Sequence, residues 1–257
     1  MRKTILVAAL LPVYALATDG QTLIDQSIVT SAGGFPYKIT ASGSYKLSGN
    51  LAASGSVISI TAENVTLDLN GFTLSCISCG VNSFSIIGIN STGQSTRILN
   101  GTVMGFPGGG IIFNNNLGIV DHIALLGNGV GVQQENGSLT VTNSTVIGNE
   151  NTAQGIVSGT SGVMIVASCQ ISNNAADGIT IRSNGLVTAS SIVGNNGGGI
   201  VVAGSSSTTV TLTNNLVSGN GGSDLRVLSG GAAYGLNTFS SSAVTSMKNN
   251  VCGSGPC

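Results

Sequence analysis

Two short anchors recur through the middle of this 257-residue chain at one shared spacing, and few folds can hold such a period. The first anchor closes on a small residue and Asn: Leu126-Gly127-Asn128, Ile147-Gly148-Asn149, Ile171-Ser172-Asn173, Val193-Gly194-Asn195 and, more loosely, Ser218-Gly219-Asn220. Its Asn positions step by 21, 24, 22 and 25 residues, averaging 23. The second anchor is a Gly before an aliphatic residue. It stands at Gly88-Ile89, Gly110-Ile111, Gly129-Val130, Gly155-Ile156, Gly178-Ile179 and Gly199-Ile200, with Asp224-Leu225 as an altered last copy. Self-similarity at such a period marks a solenoid or array, whose units bury their apolar faces only by stacking.

Between the anchors, apolar and polar residues alternate, as in Val65-Leu67-Leu69, Leu139-Val141 and Val210-Leu212. A period of two is a strand pattern. Only 7% of residues are charged, 39 are Gly and none is Trp, which leaves little material for amphipathic helices, coiled coils or Trp-bearing propeller blades. Mean hydropathy of +0.40 is too apolar for a disordered segment. Leucine-rich repeats want a fixed Leu frame that is missing, and a β-sandwich would not keep a 23-residue phase over six units. The expected fold is all-β: a single-domain right-handed parallel β-helix of three-strand coils and about eight turns, closed by caps.

Turns between strands should stack as well. One turn column is expected at Asn70, Asn100, His122, Asn143, Ala167, Ala189 and Asn214, because Asn tolerates left-handed backbone angles. The Asn members of that column, Asn70, Asn100, Asn143 and Asn214, are expected to form an interrupted ladder with hydrogen bonds from coil to coil. The interior should hold Val, Ile and Leu, with Cys169 and Met104 as fillers.

The chain opens as a signal peptide does. Arg2 and Lys3 are basic, Ile5 to Leu16 is apolar apart from Pro12, and Ala15-Leu16-Ala17 supplies small residues for cleavage before Thr18. That run is too short to span a bilayer. The expected organisation is therefore a signal peptide over 1–17, an N-terminal cap over 18–44, the β-helix over 45–239 and a C-terminal cap over 240–257. The protein is expected to be secreted, extracellular or periplasmic. Without Arg2 and Lys3 it keeps six of eight basic residues against nine acidic ones, a net charge of −3, which is no footprint for nucleic acid. Export permits disulfides. Cys76 with Cys79, and Cys252 with Cys257, read as two local clips, and Cys169 as a buried thiol. One His and no second close Cys pair nearby argue against a zinc site.

Residues Asn64 to Leu74 (NVTLDLNGFTL), Arg97 to Val103 (RILNGTV) and the Gly-Ile anchors resemble the right-handed parallel β-helix proteins of the pectate-lyase-like superfamily, over roughly residues 39–240. The resemblance implies the fold. It implies no single activity, because the superfamily holds lyases, hydrolases, epimerases, adhesins and proteins of no known activity, many acting on acidic polysaccharides. Pectate-lyase-like members hold calcium with several Asp or Glu residues and use an Arg as base. Polygalacturonase-like members carry Gly-His-Gly, and mannuronan-epimerase-like members Asp-Pro-His. Here Val120-Asp121-His122-Ile123 contains the single His and matches neither motif.

The outward positions offer few candidates. If Ile179 and Ile181 point inward, Thr180 and Arg182 point out, and Gln133 and Arg226 face outward on the same sheet. Gln133, Arg182 and Arg226 are the candidate ligand-binding residues. Asp68 is expected to partner a neighbouring coil. Thr140/Thr142 and Thr211/Thr213 form outward pairs, with Met164/Val166 and Leu186/Thr188 expected between them. The expected function is an extracellular or cell-surface binding or structural protein, polysaccharide-associated, without a recognisable active site, metal or cofactor. The alternative is a diverged lyase or epimerase acting on uronate polysaccharide, under which alone calcium would be a cofactor. A third reading is an ice-binding or adhesin-like surface.

Overall fold

The structure, a computed structural model, describes residues 20–114, 117–150, 153–229, 231–235, 237–239, 244–246, 251–252 and 255–256. The expected signal peptide and Cys257 lie outside them, so the Cys252–Cys257 clip does too.

The chain winds as a parallel β-helix with three faces. Residues 138–157 show one coil: Ser138–Thr142 lies in the first face, Thr145–Ile147 in the second and Ile156–Val157 in the third. Each strand pairs in parallel with its equivalent on the next coil, at Val163–Ala167, Gln170–Ser172 and Ile179–Ile181. Among the described residues the third face stacks ten strands, in keeping with the roughly eight turns expected from the repeat plus the coils at either end. Among the described residues, parallel pairing extends from Thr22–Ile24 to Val251–Cys252, beyond both ends of 45–239, and Val251–Cys252 pairs antiparallel with Gly255–Pro256. In the first coil a short helix, Gln26–Ser31, takes the place of the second-face strand, with Asp25 capping its N-terminus through the Ile28 amide.

Alternation in the sequence becomes three aliphatic stacks inside the tube. The first face contributes Leu67, Ile98, Val120, Val141, Val166, Val187 and Leu212 in direct register. The second contributes Leu51, Leu74, Val103, Leu125, Val146, Ile171, Ile192 and Val217. The third contributes Ile58, Ile89, Ile111, Val132, Ile156, Ile179, Ile200 and Leu225. All of these side chains are fully buried. Burying each is worth about 1.5–3 kcal/mol, so stacking offsets the ordering of a charge-poor chain. Three expectations are corrected by this register. Val132, not Val130, fills the third-face stack. Met164 and Val166 point inward while Ile165 and Ala167 face out. Met104 is 41% exposed, because Val103 takes the inward position.

The corners explain the Asn, Gly and Ser content. Between the first and second faces, Asn70, Asn100, His122, Asn143, Ser168, Ala189 and Asn214 all have φ near +50°, the column read from sequence except that Ser168 replaces Ala167. Because Asn100 and His122 bend their strands without breaking them, Thr96–Met104 and Leu117–Leu126 run through the corner and join two faces into one sheet. The coil-to-coil Asn ladder, however, stands at the next corner. There Asn128, Asn149, Asn174, Asn195 and Asn220 are buried, and each Oδ1 from Asn149 onward accepts the backbone N–H of the preceding member. Asn173, taken from the repeat as the third member, instead holds the left-handed slot (φ 55°) that Gly127, Gly148, Gly194 and Gly219 occupy on other coils. Asn70, Asn100 and Asn143 do bond across coils, but to Leu47 O, Asp68 and Asp121 and not to one another.

Candidate functional site

Residues far apart in sequence meet on the outside of the first face. Its strands place Lys46, Asp68, Leu99, Asp121 and Thr142 in one outward column and Thr66, Arg97, Ile119 and Thr140 in the adjacent one. At about 4.8 Å per coil, Asp68 and Asp121 stand about 10 Å apart, with Arg97 on the coil between them. Two carboxylates, an arginine and a lysine thus share one flat patch, and His122 closes its corner.

Both carboxylates are held the same way, by the left-handed Asn of the following coil. Asn100 Nδ2 donates to Asp68 Oδ1 at 3.1 Å, and Asn143 Nδ2 to Asp121 Oδ1 at 2.9 Å. Asp68 therefore partners a neighbouring coil as expected. Asp121 Oδ1 also accepts from Thr142 Oγ1 at 2.7 Å, while Oδ2 lies 3.0 Å from His122 Nδ1. Burial pushes the Asp121 carboxyl up, but the hydrogen bonds from Thr142, Asn143 and His122 and the His122 charge outweigh it, so its pKa lies below the ordinary carboxylate value. The His122 side chain is 60% exposed. With Nδ1 turned to Asp121, its Nε2 faces away as a donor or acceptor for a ligand. Arg97 is exposed and forms no ion pair among the described residues, so its guanidinium is available to a planar anion.

The sequence candidates are not brought together. Gln133 and Arg226 do share the outward column of the third face, but four coils apart, with Val157, Thr180 and Val201 between them. Gln133 bonds to Glu135. Arg182 lies beyond its strand and its backbone N–H donates to Ser158 Oγ at 2.8 Å. Asp177 is spent on the chain itself, accepting from the Gly198 amide at 2.7 Å and Thr180 Oγ1 at 3.2 Å. The first-face patch was missed because His122 reads as one more turn residue, and because Asp68, Arg97 and Asp121 are separated by unequal stretches of chain.

Calcium asks for six to eight oxygens around one point. Asp68 and Asp121 have Leu99 between them and commit Oδ1 to neighbouring amides, so they do not fit it. No group of three or more metal-ligating side chains is found among the described residues. Cys76 and Cys79 are bonded to each other, and Cys169 is a free, buried thiol. The Thr columns on the first face are interrupted, running Thr140, Ile165, Leu186, Thr211 and Thr142, Ala167, Thr188, Thr213. No described helix is long and apolar enough to cross a membrane.

Parallel coils, three buried aliphatic stacks and one polar outer patch define a β-solenoid protein. The family model for the right-handed β-helix region matches residues 85–252, well over half of the sequence, and the chain belongs to that family. One similar solved structure is that of pectate lyase Pel9A, at 18% identity and a TM-score of 0.49, with 88% of this chain and 74% of that chain covered. No curated protein matches.

Proposed function

We propose that this is an exported β-helix that binds an acidic polysaccharide across the outer surface of its first face. One observation carries the reading: exposed Arg97 sits on the outer sheet with Thr66 on the preceding coil, and Lys46, Thr140 and Thr142 stand two coils away on the same face. A guanidinium meets a sugar carboxylate with two parallel hydrogen bonds, and threonines serve the ring hydroxyls. The basic, apolar and small residues at the start of the sequence support export. Titration with oligogalacturonate and oligoalginate tests it. Arg97→Ala should weaken binding about tenfold or more, a loss of about 1.4 kcal/mol per decade, while Arg182→Ala and Arg226→Ala should not. Undiminished binding by Arg97→Ala overturns the assignment.

A second reading, a lyase or epimerase, has a specific observation in its favour. His122 Nδ1 lies 3.0 Å from Asp121 Oδ2, as a general base is oriented by a carboxylate. Absorbance of an unsaturated product, and proton NMR of the polymer for epimerisation, test it. Product that vanishes in His122→Ala would establish it, and an inert polymer in both assays would remove it.

A further inference from the structure

We infer that the corner between the second and third faces, near the start of the rod, is a second binding site, and that it takes an uncharged sugar chain. The inference does not rest on the reading of the first face. A cleft of about 810 Å³ runs along this corner. Phe35 and Pro36 form one wall, Ala52 to Ser56 the floor, and Ile77 with Ser78 the opposite wall. Ile77 and Ser78 are the two residues enclosed by the Cys76–Cys79 disulfide, so that wall is held by a covalent ring. The other side is fixed as well. Gln26 Nε2 donates to the Ala52 carbonyl at 3.3 Å and its Oε1 accepts the Ala52 amide at 3.2 Å, tying the N-terminal helix to the floor. Phe35 packs against the core.

The lining selects the ligand. Among the described residues no Asp, Glu, Lys, Arg or His lines it, so a charged guest would lose hydration with none of these side chains to compensate it. This sets the cleft apart from the first face, and from a smaller cleft of about 210 Å³ on the far side of the disulfide, which Glu150 lines. What the large cleft offers is apolar surface on both walls, Phe35 and Pro36 on one and Ile77 on the other, with the serines Ser54 and Ser78 set among them. Ser56 ties the following loop to the rim by donating to the Ser85 carbonyl and accepting the Ile87 amide, and Phe84 in that loop is 62% exposed. Apolar walls interspersed with serines match a pyranose ring, which is apolar on its C–H face and polar at its edge. An extended peptide fits less well, because it would need a free strand edge. Both backbone groups of Ala52 are taken by Gln26, and the Ala53 carbonyl accepts the Ile77 amide at 2.7 Å.

Calorimetric titration of the whole chain with cellopentaose, maltopentaose, mannopentaose and pentagalacturonate tests this. At least one neutral pentamer should bind with Kd between about 10 μM and 1 mM. Ser54→Trp fills the cleft mouth from an exposed position and should weaken that binding more than tenfold, while Arg97→Ala leaves it unchanged. Ile77→Glu places a charge on the opposite wall and should do the same, which keeps the test decisive if Ser54→Trp lowers the melting temperature. No binding by any neutral pentamer up to about 10 mM overturns the inference, as does binding that survives both variants, competition by pentagalacturonate, or tighter binding of an Ala/Ser hexapeptide. Loss of acidic-glycan binding in Arg97→Ala, with the neutral ligand still held, separates the two sites.

Discussion

Asn174 donates from Nδ2 to Oδ1 of Asn195 across 2.7 Å, one coil to the next, through the interior of the rod. The amide has room because Gly155 beside it lacks a side chain: a Cβ there would lie 2.9 Å from the same nitrogen. The two anchors of the repeat are therefore one device. A glycine column, Gly88, Gly110, Gly131, Gly155, Gly178 and Gly199, makes space, and from Gly110 onward a buried Asn fills it. The altered copy Asp224 ends the series, accepting from Asn220 Nδ2 at 2.9 Å.

Substituting two glycines of different columns should separate crowding from backbone strain. A Cβ on Gly178 would fall 2.7 Å from Ile192 Cγ2 and 2.8 Å from both Asn195 Nδ2 and the Gly199 carbonyl. Gly148 has open space but φ +65°. Gly178→Ala should cost about 3 kcal/mol and Gly148→Ala about 1 kcal/mol in urea midpoints. Equal losses would mean that the column is not close-packed.

Neighbouring asparagines should behave differently. Asn174→Ala leaves the Asn149 amide and side chain without their acceptor, at 3.1 and 2.6 Å, and the Val146 carbonyl without a donor. Its cost should be about 2–4 kcal/mol, while exposed Asn173→Ala loses about 1 kcal/mol for its left-handed backbone. Thermal unfolding of the two variants measures the difference, and a reversed order would place the ladder at 173.

Acid should remove what Asp121 contributes. Its carboxyl titrates lower in the folded chain than its unfolded value of about 3.8, so the stabilisation is complete above that value and fades as pH falls through the folded one. Wild type should exceed Asp121→Asn in urea midpoint at pH 6, and the gap should close on titration below about pH 3.8. A gap that is constant with pH would show that the hydrogen bonds do not favour the ionised form.

Cys169 should be unreactive in the folded protein. Burial pushes its thiol up to about 11, and its S–H can donate to the Ala167 carbonyl at 3.3 Å or the Val141 carbonyl at 3.5 Å. At pH 8 roughly one molecule in a thousand would carry the thiolate, so iodoacetamide labelling mapped to Cys169 should follow global unfolding. Rapid labelling without denaturant would contradict the buried position.

The amino-acid order alone determined the coil. A 23-residue period, strict alternation and residues suited to left-handed corners specify three stacked faces, because a one-residue slip would turn every aliphatic side chain outward. Which polar residues become neighbours was settled only by the tertiary structure. Asp68 stands opposite Leu99, 31 positions later, because loop 77–86 is inserted between them, whereas Leu99 meets Asp121 after 22. Coil lengths vary, so sequence distance does not report which outward side chains align. Interstrand hydrogen bonds fix that register, and with it the patch of Lys46, Asp68, Arg97, Asp121 and His122.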